Sequence, residues 1–195
     1  EIATIGDEIM VFGAQQEQQP FATSLMLPNT EGSTVTRVAE TASKTGLANY
    51  INGVEGVLYF NSSIYLDDGV LKKISLSSGS DDNAISISYD VALGNISFTV
   101  RVGGGATSTQ ITATSIIKTN NNKIAFKYKE NNFSAFINGV KVGEDLVGGV
   151  FGIGVLNKIS FDRGNAANIF YGKCKDLRVY KTALTDAELV TLTTI

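Results

Sequence analysis

The sequence predicts an all-β protein, an antiparallel two-sheet sandwich with one short helix at its C-terminal end. Three observations lead to this fold class. Apolar and polar residues alternate along several short segments, turn-forming residues separate these segments, and one helix-capping motif lies near the end of the chain. No helical pattern of about 10–15 residues separates the strands, as a parallel α/β sheet would require.

The alternation is clearest in three segments, which are residues 84–89, 95–102 and 123–129. In the first segment three apolar side chains share one face, and Ser86 and Ser88 share the other. Such strands are typical of antiparallel sheets with one dry face and one solvated face. The sequence Ala-Leu-Gly-Asn at 92–95 is a turn that can pair the first two segments antiparallel.

Two local motifs predict a hairpin and the helix. Asn138-Gly139 joins two short apolar segments, and this dipeptide tolerates the positive φ angles of a type I′ turn best. Thr185 and Glu188 have the spacing of a capping box, which predicts a short helix over residues 186–192. Leu184 and Leu189 stand where a hydrophobic staple would fix the start of that helix.

Composition excludes several classes of function. The 195 residues carry a net charge of −3 and include one Cys, no His and no Trp. Without histidine there is no Ser-His-Asp or Cys-His machinery and no zinc site with imidazole ligands. Scattered basic residues argue against nucleic acid as a partner, and no apolar run approaches the roughly 18 residues needed for membrane insertion. The lone Cys174 is expected to be a buried small hydrophobe.

Seven segments carry a family resemblance. They are GSTVTRVAE (32–40), GVLYF (56–60), KISLSSG (73–79), NKIAFKY (122–128), AFINGVKVG (135–143), LNKISFD (156–162) and FYGKCKDLRVYKTALTDAEL (170–189). With them the chain resembles a concanavalin A-like, laminin-G-like domain of phage tail fibres, tailspikes and related glycan-binding proteins. The last segment is the most specific, because it joins a Leu-Arg-Val-Tyr strand to a capped helix.

The resemblance implies a jelly-roll sandwich over residues 32–195. Residues 11–28 resemble the junction that precedes this domain in tail proteins. Residues 1–31 are expected to form a strand and linker, or alternatively the end of an upstream module. The implied setting is extracellular or the virion tail, with a homo-oligomer in the full-length protein. Because the chain begins with Glu1 and not Met, we expect a piece of a longer protein.

Catalysis is not expected from this sequence. Retaining glycosidases hold two carboxylates about 5–5.5 Å apart, and the Glu-x-Asp-x-x-Glu arrangement of related glucanases is absent here. The acidic pairs Asp67-Asp68 and Asp81-Asp82 lie in turn-like sequence, where they are poorly placed to act as an acid and a base.

We therefore expect binding of a polysaccharide or cell-surface glycan through polar side chains on a strand face and in nearby loops. The candidate ligand-binding residues are Ser86, Ser88, Thr99, Arg101, Lys127 and Tyr65. Arg101 can offer a two-pronged hydrogen bond to an acidic or hydroxylated sugar. The alternative is a structural or assembly domain of a fibre that binds no sugar.

Calcium is a further alternative, because Ca²⁺ takes oxygen ligands from carboxylates, amides and carbonyls. The candidate ligands are Asp81, Asp82 and Asn83 in one loop, and Asp176 in the Lys-Asp-Leu-Arg-Val-Tyr strand, where some laminin-G-like domains hold calcium. The other interpretation is that the loop residues form Asx-turns and that Asp176 pairs with a nearby Lys or Arg.

Overall fold

The computed structural model describes residues 42–104 and 106–195, which contain eleven strands and one helix. The elements are β1 (Ser43–Lys44), β2 (Glu55–Ile64), β3 (Lys72–Ser77), β4 (Ala84–Tyr89), β5 (Ile96–Val102), β6 (Ala106–Ala113), β7 (Asn122–Lys129), β8 (Phe133–Ile137), β9 (Val140–Asp145), β10 (Lys158–Ser160), β11 (Gly172–Tyr180) and α1 (Asp186–Thr193).

The strands form two antiparallel sheets. The six-stranded sheet has the order β1-β10-β3-β4-β5-β6, and the five-stranded sheet has the order β11-β2-β7-β8-β9. This arrangement confirms the predicted all-β, two-sheet sandwich with one short helix. The predicted boundary between residues 31 and 32, and the segment 32–40 that contributed to the resemblance, lie outside the described residues.

The core lies between the inward faces of the two sheets. Phe98 of β5 and Phe126 of β7 are fully buried, and their ring centroids are 5.4 Å apart across the sandwich. Phe60 of β2 contacts Phe170 edge-to-face at 5.0 Å. Full burial of one such side chain contributes about 1.5–3 kcal/mol, so these rings hold the sheets together.

The two local motifs form as predicted. Asn138 and Gly139 have φ angles of 52° and 81°, and Ile137 pairs with Val140 across the turn. The capping box of α1 is present, and the helix ends one residue later than the sequence predicts.

Helix α1 packs against the outer face of the five-stranded sheet. Its Leu189 is fully buried in a small apolar cluster with Val57, Tyr59, Ala125 and Phe136. Leu184, the other half of the predicted staple, packs against the same cluster. The helix therefore covers the middle of this outer face.

The expectation for Cys174 is wrong, because its side chain is exposed. It lies in β11, the edge strand of its sheet, where the register with β2 shifts between Cys174 and Asp176. An edge strand has a neighbour on one side only, so alternation there does not guarantee burial. Among the described residues, no helix has the length and apolarity needed to cross a membrane.

Replacing the helix cap tests how much α1 contributes to stability. Thr185→Ala removes the side chain that accepts the Glu188 amide, so we expect the free energy of unfolding to fall by about 1 kcal/mol. Urea unfolding followed by circular dichroism measures the change. Thr191→Ala is the matched control, because its hydroxyl bonds only to the Ala187 carbonyl within the helix. Equal stability of Thr185→Ala and the parent would show that the cap contributes nothing.

Candidate functional site

The polar face of the six-stranded sheet carries four of the predicted ligand-binding residues. Strands β4 and β5 pair antiparallel, so that Ser86 lies opposite Thr99 and Ala84 lies opposite Arg101. The turn at 92–95 closes between them through a hydrogen bond from the Asn95 amide to the Ala92 carbonyl. The predicted pairing is confirmed, and Ser86, Ser88, Thr99 and Arg101 share one face.

The centre of this face is not solvated as the sequence suggests. Ser86, Ser88 and Thr99 are all buried, with at most 7% of each residue exposed. These side chains are short, and they lie between longer ones, with Lys73 directly opposite Ser88 and Arg101 diagonal to Ser86. The hydroxyl groups of Ser86, Ser88 and Thr99 are therefore largely closed to a ligand, and Arg101 is the more exposed side chain of this face.

Arg101 is held by the predicted calcium loop. Its guanidinium donates to Oδ2 of Asp81, which lies in the connection between β3 and β4. Arg163 donates to the same oxygen at 2.7 Å from the loop that follows β10. Asp81 is thus shared by two arginines, one on the sheet and one on a loop.

Sequence reasoning missed Arg163. The segment Asp162-Arg163-Gly164-Asn165 has the composition of a turn, and its contact with Asp81 joins residues far apart in the chain. The loop is fixed locally, because the Gly164 amide donates to Oδ1 of Asp162 at 2.5 Å and the Arg163 amide donates to the Ala167 carbonyl. No signal in the sequence alone connects Arg163 to β5.

Lys73 completes a group of three cations on this face, and we call Lys73, Arg101 and Arg163 the cationic cluster. Only 6% of Lys73 is exposed, and it forms no ion pair with a described carboxylate. Burial lowers the pKa of Lys73, and the charges of Arg101 and Arg163 lower it further, while Asp81 and Asp90 oppose the shift. The positive charge of Lys73 is therefore disfavoured in the folded protein, whereas Asp81 raises the pKa of Arg163.

Asp90 lies at the opposite end of β4 from Asp81. It accepts a hydrogen bond from the Ser97 hydroxyl at 2.8 Å. Burial raises the pKa of Asp90, although Ser97, Lys118 and Lys73 act in the opposite direction. Asp90 therefore favours the charge of Lys73 through space without forming an ion pair with it.

Three polar atoms on this face are buried without a hydrogen-bond partner among the described residues. They are Nε of Arg101, Nε of Arg163 and Oγ of Ser88. Oδ1 of Asn61 and Oγ of Ser134, in the five-stranded sheet, also lack a partner among the described residues. Most buried polar atoms in folded proteins are hydrogen-bonded, so each of these atoms calls for a partner such as water or a ligand.

The other two predicted ligand-binding residues lie elsewhere. Lys127 belongs to β7 of the five-stranded sheet, where its ammonium donates to Asp186 at 3.0 Å beneath α1. Tyr65 follows β2, and the Lys173 ammonium lies 5.8 Å from its ring centroid. The structure does not bring Lys127 to the polar face of the six-stranded sheet.

The four predicted calcium ligands have protein partners. Asp82 accepts from the Ser80 hydroxyl at 3.1 Å, and Asn83 accepts from the Gly103 amide at 2.9 Å. Asp176 pairs with Arg178 at 2.6 Å on β11, in the other sheet. Among the described residues, no three acidic, Cys or His side chains come together as a metal site. Calcium binding stays a prediction, and at Asp81 it would compete with two arginines.

Two surface depressions lie away from the cationic cluster. A groove of about 500 Å³ runs beside α1, and it is lined by Tyr180, Leu184, Ala187, Glu188, Thr191 and Leu192. A smaller one of about 240 Å³ is lined by Ser115, Ile116, Ile117, Asn120, Asn121, Asn122, Asn138 and Ile195. Neither contains a residue of the polar face of the six-stranded sheet.

Comparison with known proteins supports the fold and defines the family. The family model described as the concanavalin A-like lectin/glucanases superfamily matches residues 64–190. No curated protein sequence matches the chain. Among solved structures, the Ruminococcus gnavus IT-sialidase CBM40 bound to α2,3-sialyllactose has a TM-score of 0.64 at 18% identity, covering 82% of this chain and 96% of that chain.

Two further solved structures share this architecture. A leech intramolecular trans-sialidase complexed with 2,7-anhydro-Neu5Ac has a TM-score of 0.61 at 20% identity, covering 82% of this chain and 27% of that chain. A SAP-like pentraxin from Limulus polyphemus has a TM-score of 0.56 at 14% identity, covering 72% of this chain and 70% of that chain. At such low identities the likeness establishes the fold.

Removing the Lys73 charge tests the electrostatics of the cationic cluster. We expect Lys73→Met to raise the free energy of unfolding at neutral pH, because a buried cation without a partner is lost. In the parent, the unfolded chain keeps this proton to higher pH than the folded chain does. Stability of the parent should therefore rise with pH between the lowered pKa and the ordinary lysine value, and the advantage of the variant should shrink there.

Urea unfolding of the parent and the variant at neutral and alkaline pH measures this difference. Lys72→Met is the matched control, since Lys72 is also buried but pairs with Asp68 and lowers the pKa of that carboxyl. The control should lose stability where Lys73→Met gains it. A less stable Lys73→Met at neutral pH would show that the site stabilises the charge.

Proposed function

Because the chain belongs to the concanavalin A-like lectin/glucanases superfamily, we propose that it is a non-catalytic carbohydrate-binding module that binds glycans on the polar face of its six-stranded sheet. One observation carries this proposal. Nε of Arg101 and Nε of Arg163 have no hydrogen-bond partner among the described residues, and both guanidinium side chains stay partly exposed on that face. Sugar hydroxyl and carboxyl groups are partners of the kind that these atoms lack.

The helix α1 covers the outer face of the five-stranded sheet only, which supports the other sheet as the binding surface. On the five-stranded sheet, α1 packs over Val57, Tyr59 and Phe136, and Asp186 holds Lys127. On the six-stranded sheet, Arg101 and Arg163 keep 28% and 38% of their side chains exposed. A glycan that approaches this face meets the two guanidinium groups first.

The solved relatives give further support. The R. gnavus module, a CBM40 of a sialidase, was solved with α2,3-sialyllactose bound. The match covers 96% of that module and 82% of this chain. We carry over only the class of ligand, a glycan, and leave the sugar open.

The positions of the two carboxylates at the ends of β4, Asp81 and Asp90, support a non-catalytic role. Asp81 precedes β4 and Asp90 follows it, so roughly 20 Å of extended chain separates them at about 3.3 Å per residue. Glycosidases that use two carboxylates hold them about 5–9.5 Å apart. Asp81 is also committed to two arginines, and the chain has no histidine to replace a missing acid or base.

The finer proposal concerns the parent protein. Segments such as residues 170–189 resemble domains of phage tail fibres and tailspikes, and similar modules also occur beside carbohydrate-active enzymes. In either setting several copies would act together. A typical hydrogen bond contributes about 0.5–1.5 kcal/mol net, so we expect weak binding per module and avidity from the assembly.

A glycan array followed by calorimetry of the parent tests the proposed function. Micromolar to millimolar binding of a defined glycan is the expected result. Absence of binding across bacterial, algal and animal glycans, together with stable self-association, would overturn it in favour of a structural or assembly domain.

Arg101→Ala tests the proposed surface directly. We expect at least about tenfold weaker binding of whichever glycan the parent binds, because a charge-assisted hydrogen bond contributes about 1.5–3 kcal/mol. Arg163 still pairs with Asp81 in this variant, so the loop keeps one of its two ion pairs. Circular dichroism confirms that the variant is folded.

Lys127→Ala is the matched control, since it removes a cation from the other sheet. It should leave the affinity unchanged. Equal affinities of Arg101→Ala and the parent would exclude the polar face and move the proposed site to the loops around residues 81–83.

A further inference from the structure

We propose that the site selects glycans that carry a carboxylate or sulfate group. We also propose that the Asp81 carboxylate competes with that group for the guanidinium groups of Arg101 and Arg163. This inference rests on the proposed function and adds to it the ligand class and the way in which binding is restrained. It follows from the charges, from the unsatisfied donors and from the position of Asp81 in its loop.

The first step is the charge of the site. Lys73, Arg101 and Arg163 contribute three positive charges, and of the described carboxylates only Asp81 forms an ion pair with any of them. Asp90 lies at the Lys73 end of β4, where it bonds to Ser97 and acts on Lys73 without an ion pair, so three cations still face two carboxylates. The cluster keeps an excess of positive charge on a partly buried surface, where an anion is attracted more strongly than in bulk water.

The second step is that the site already holds a carboxylate. Both guanidinium groups donate to a single oxygen of Asp81, Oδ2, and only 7% of Asp81 is exposed. The distance between the two arginines therefore suits one anionic oxygen. A carboxylate or sulfate of a ligand that took this place would meet the same two donors.

The third step is what a ligand would gain. Arg101 uses one Nη atom on Asp81 and leaves its Nε without a partner, and Arg163 uses an Nη atom and leaves its Nε likewise. An arginine binds a carboxylate or sulfate best through two parallel hydrogen bonds. Exchange of Asp81 for a ligand anion allows each guanidinium to use two donors where it now uses one.

The fourth step is that Asp81 can leave. It lies in the connection between β3 and β4, where Gly79 has a φ of 104° and no atom occupies the space that a side chain would enter. Nearby bonds within this connection join Ser80 to Asp82 and the Ser78 amide to the Asn83 carbonyl. Neither of these bonds involves Asp81, so the turn can persist while that carboxylate moves.

The experiment compares the parent with two variants. Asp81→Asn removes the competing charge and keeps the shape of the side chain. Asp82→Asn is the matched control, because it changes the net charge equally at the next residue, whose carboxylate contacts Ser80 and no arginine. Calorimetry measures binding of α2,3-sialyllactose, an oligogalacturonate, a sulfated galactan oligosaccharide and, as neutral counterparts, lactose and an unsulfated galactan oligosaccharide.

We expect the parent to bind at least one acidic glycan about ten times more tightly than its neutral counterpart, with affinity falling as sodium chloride rises from about 50 to about 500 mM. The carboxylated and sulfated ligands show which anion is preferred. Asp81→Asn should bind the acidic glycan at least threefold more tightly than the parent, and Asp82→Asn should change the affinity by less than half of that factor.

Binding that favours neutral glycans and ignores salt would overturn the inference and leave the proposed function intact. An equal effect of Asp81→Asn and Asp82→Asn, or weaker binding by a folded Asp81→Asn, would overturn the role of Asp81 as a competitor. If Asp81→Asn does not fold, Arg163→Ala decides instead, and loss of the preference for acidic glycans is the expected result. No binding of any acidic or neutral glycan would count against the proposed function itself.

Discussion

The contact between the two sheets is the constraint on which the rest of the molecule depends. Once Phe98 and Phe126 meet in the core, every residue of the same phase along β5 and β7 must point inward, because side chains alternate strictly along a strand. Thr99 and Arg101 are then fixed on the outside of one sheet, and Lys127 on the outside of the other. The positions of the charges are a consequence of how the apolar residues pack.

The outer faces of the two sheets differ in what covers them. The five-stranded sheet has apolar side chains on its outer face, and α1 covers them with Leu189 as the central contact. The six-stranded sheet has serine, threonine and basic residues on its outer face, and the loop after β10 adds Arg163 to that surface. One face is therefore covered by hydrophobic packing, and the other carries two partly exposed guanidinium groups whose Nε atoms have no partner among the described residues.

Local chemistry explains what the sequence can predict here. The Asn138-Gly139 hairpin, the Thr185 cap and the pairing of Ser86 with Thr99 all depend on residues close together in the chain. The side of the sandwich on which Lys127 lies depends on which strands join which sheet, and that is decided by contacts between distant residues. The same holds for Arg163, which follows β10 and lies near Asp81 because β10 pairs with β3. The exposure of Cys174 follows from an irregular edge strand that alternation alone does not reveal.

The strand order also determines the order in which strand pairs can form while the chain is synthesised. Strands β3 to β6 are consecutive neighbours in their sheet, and so are β7 to β9, which makes both groups local hairpin structures. Strand β2 instead pairs with β7 on one side and with β11, near the end of the chain, on the other. Because long loops must close before such pairs form, we expect these contacts to form last. A nascent chain that has not yet released β11 leaves an open edge on β2, and premature termination there would yield a species prone to aggregation.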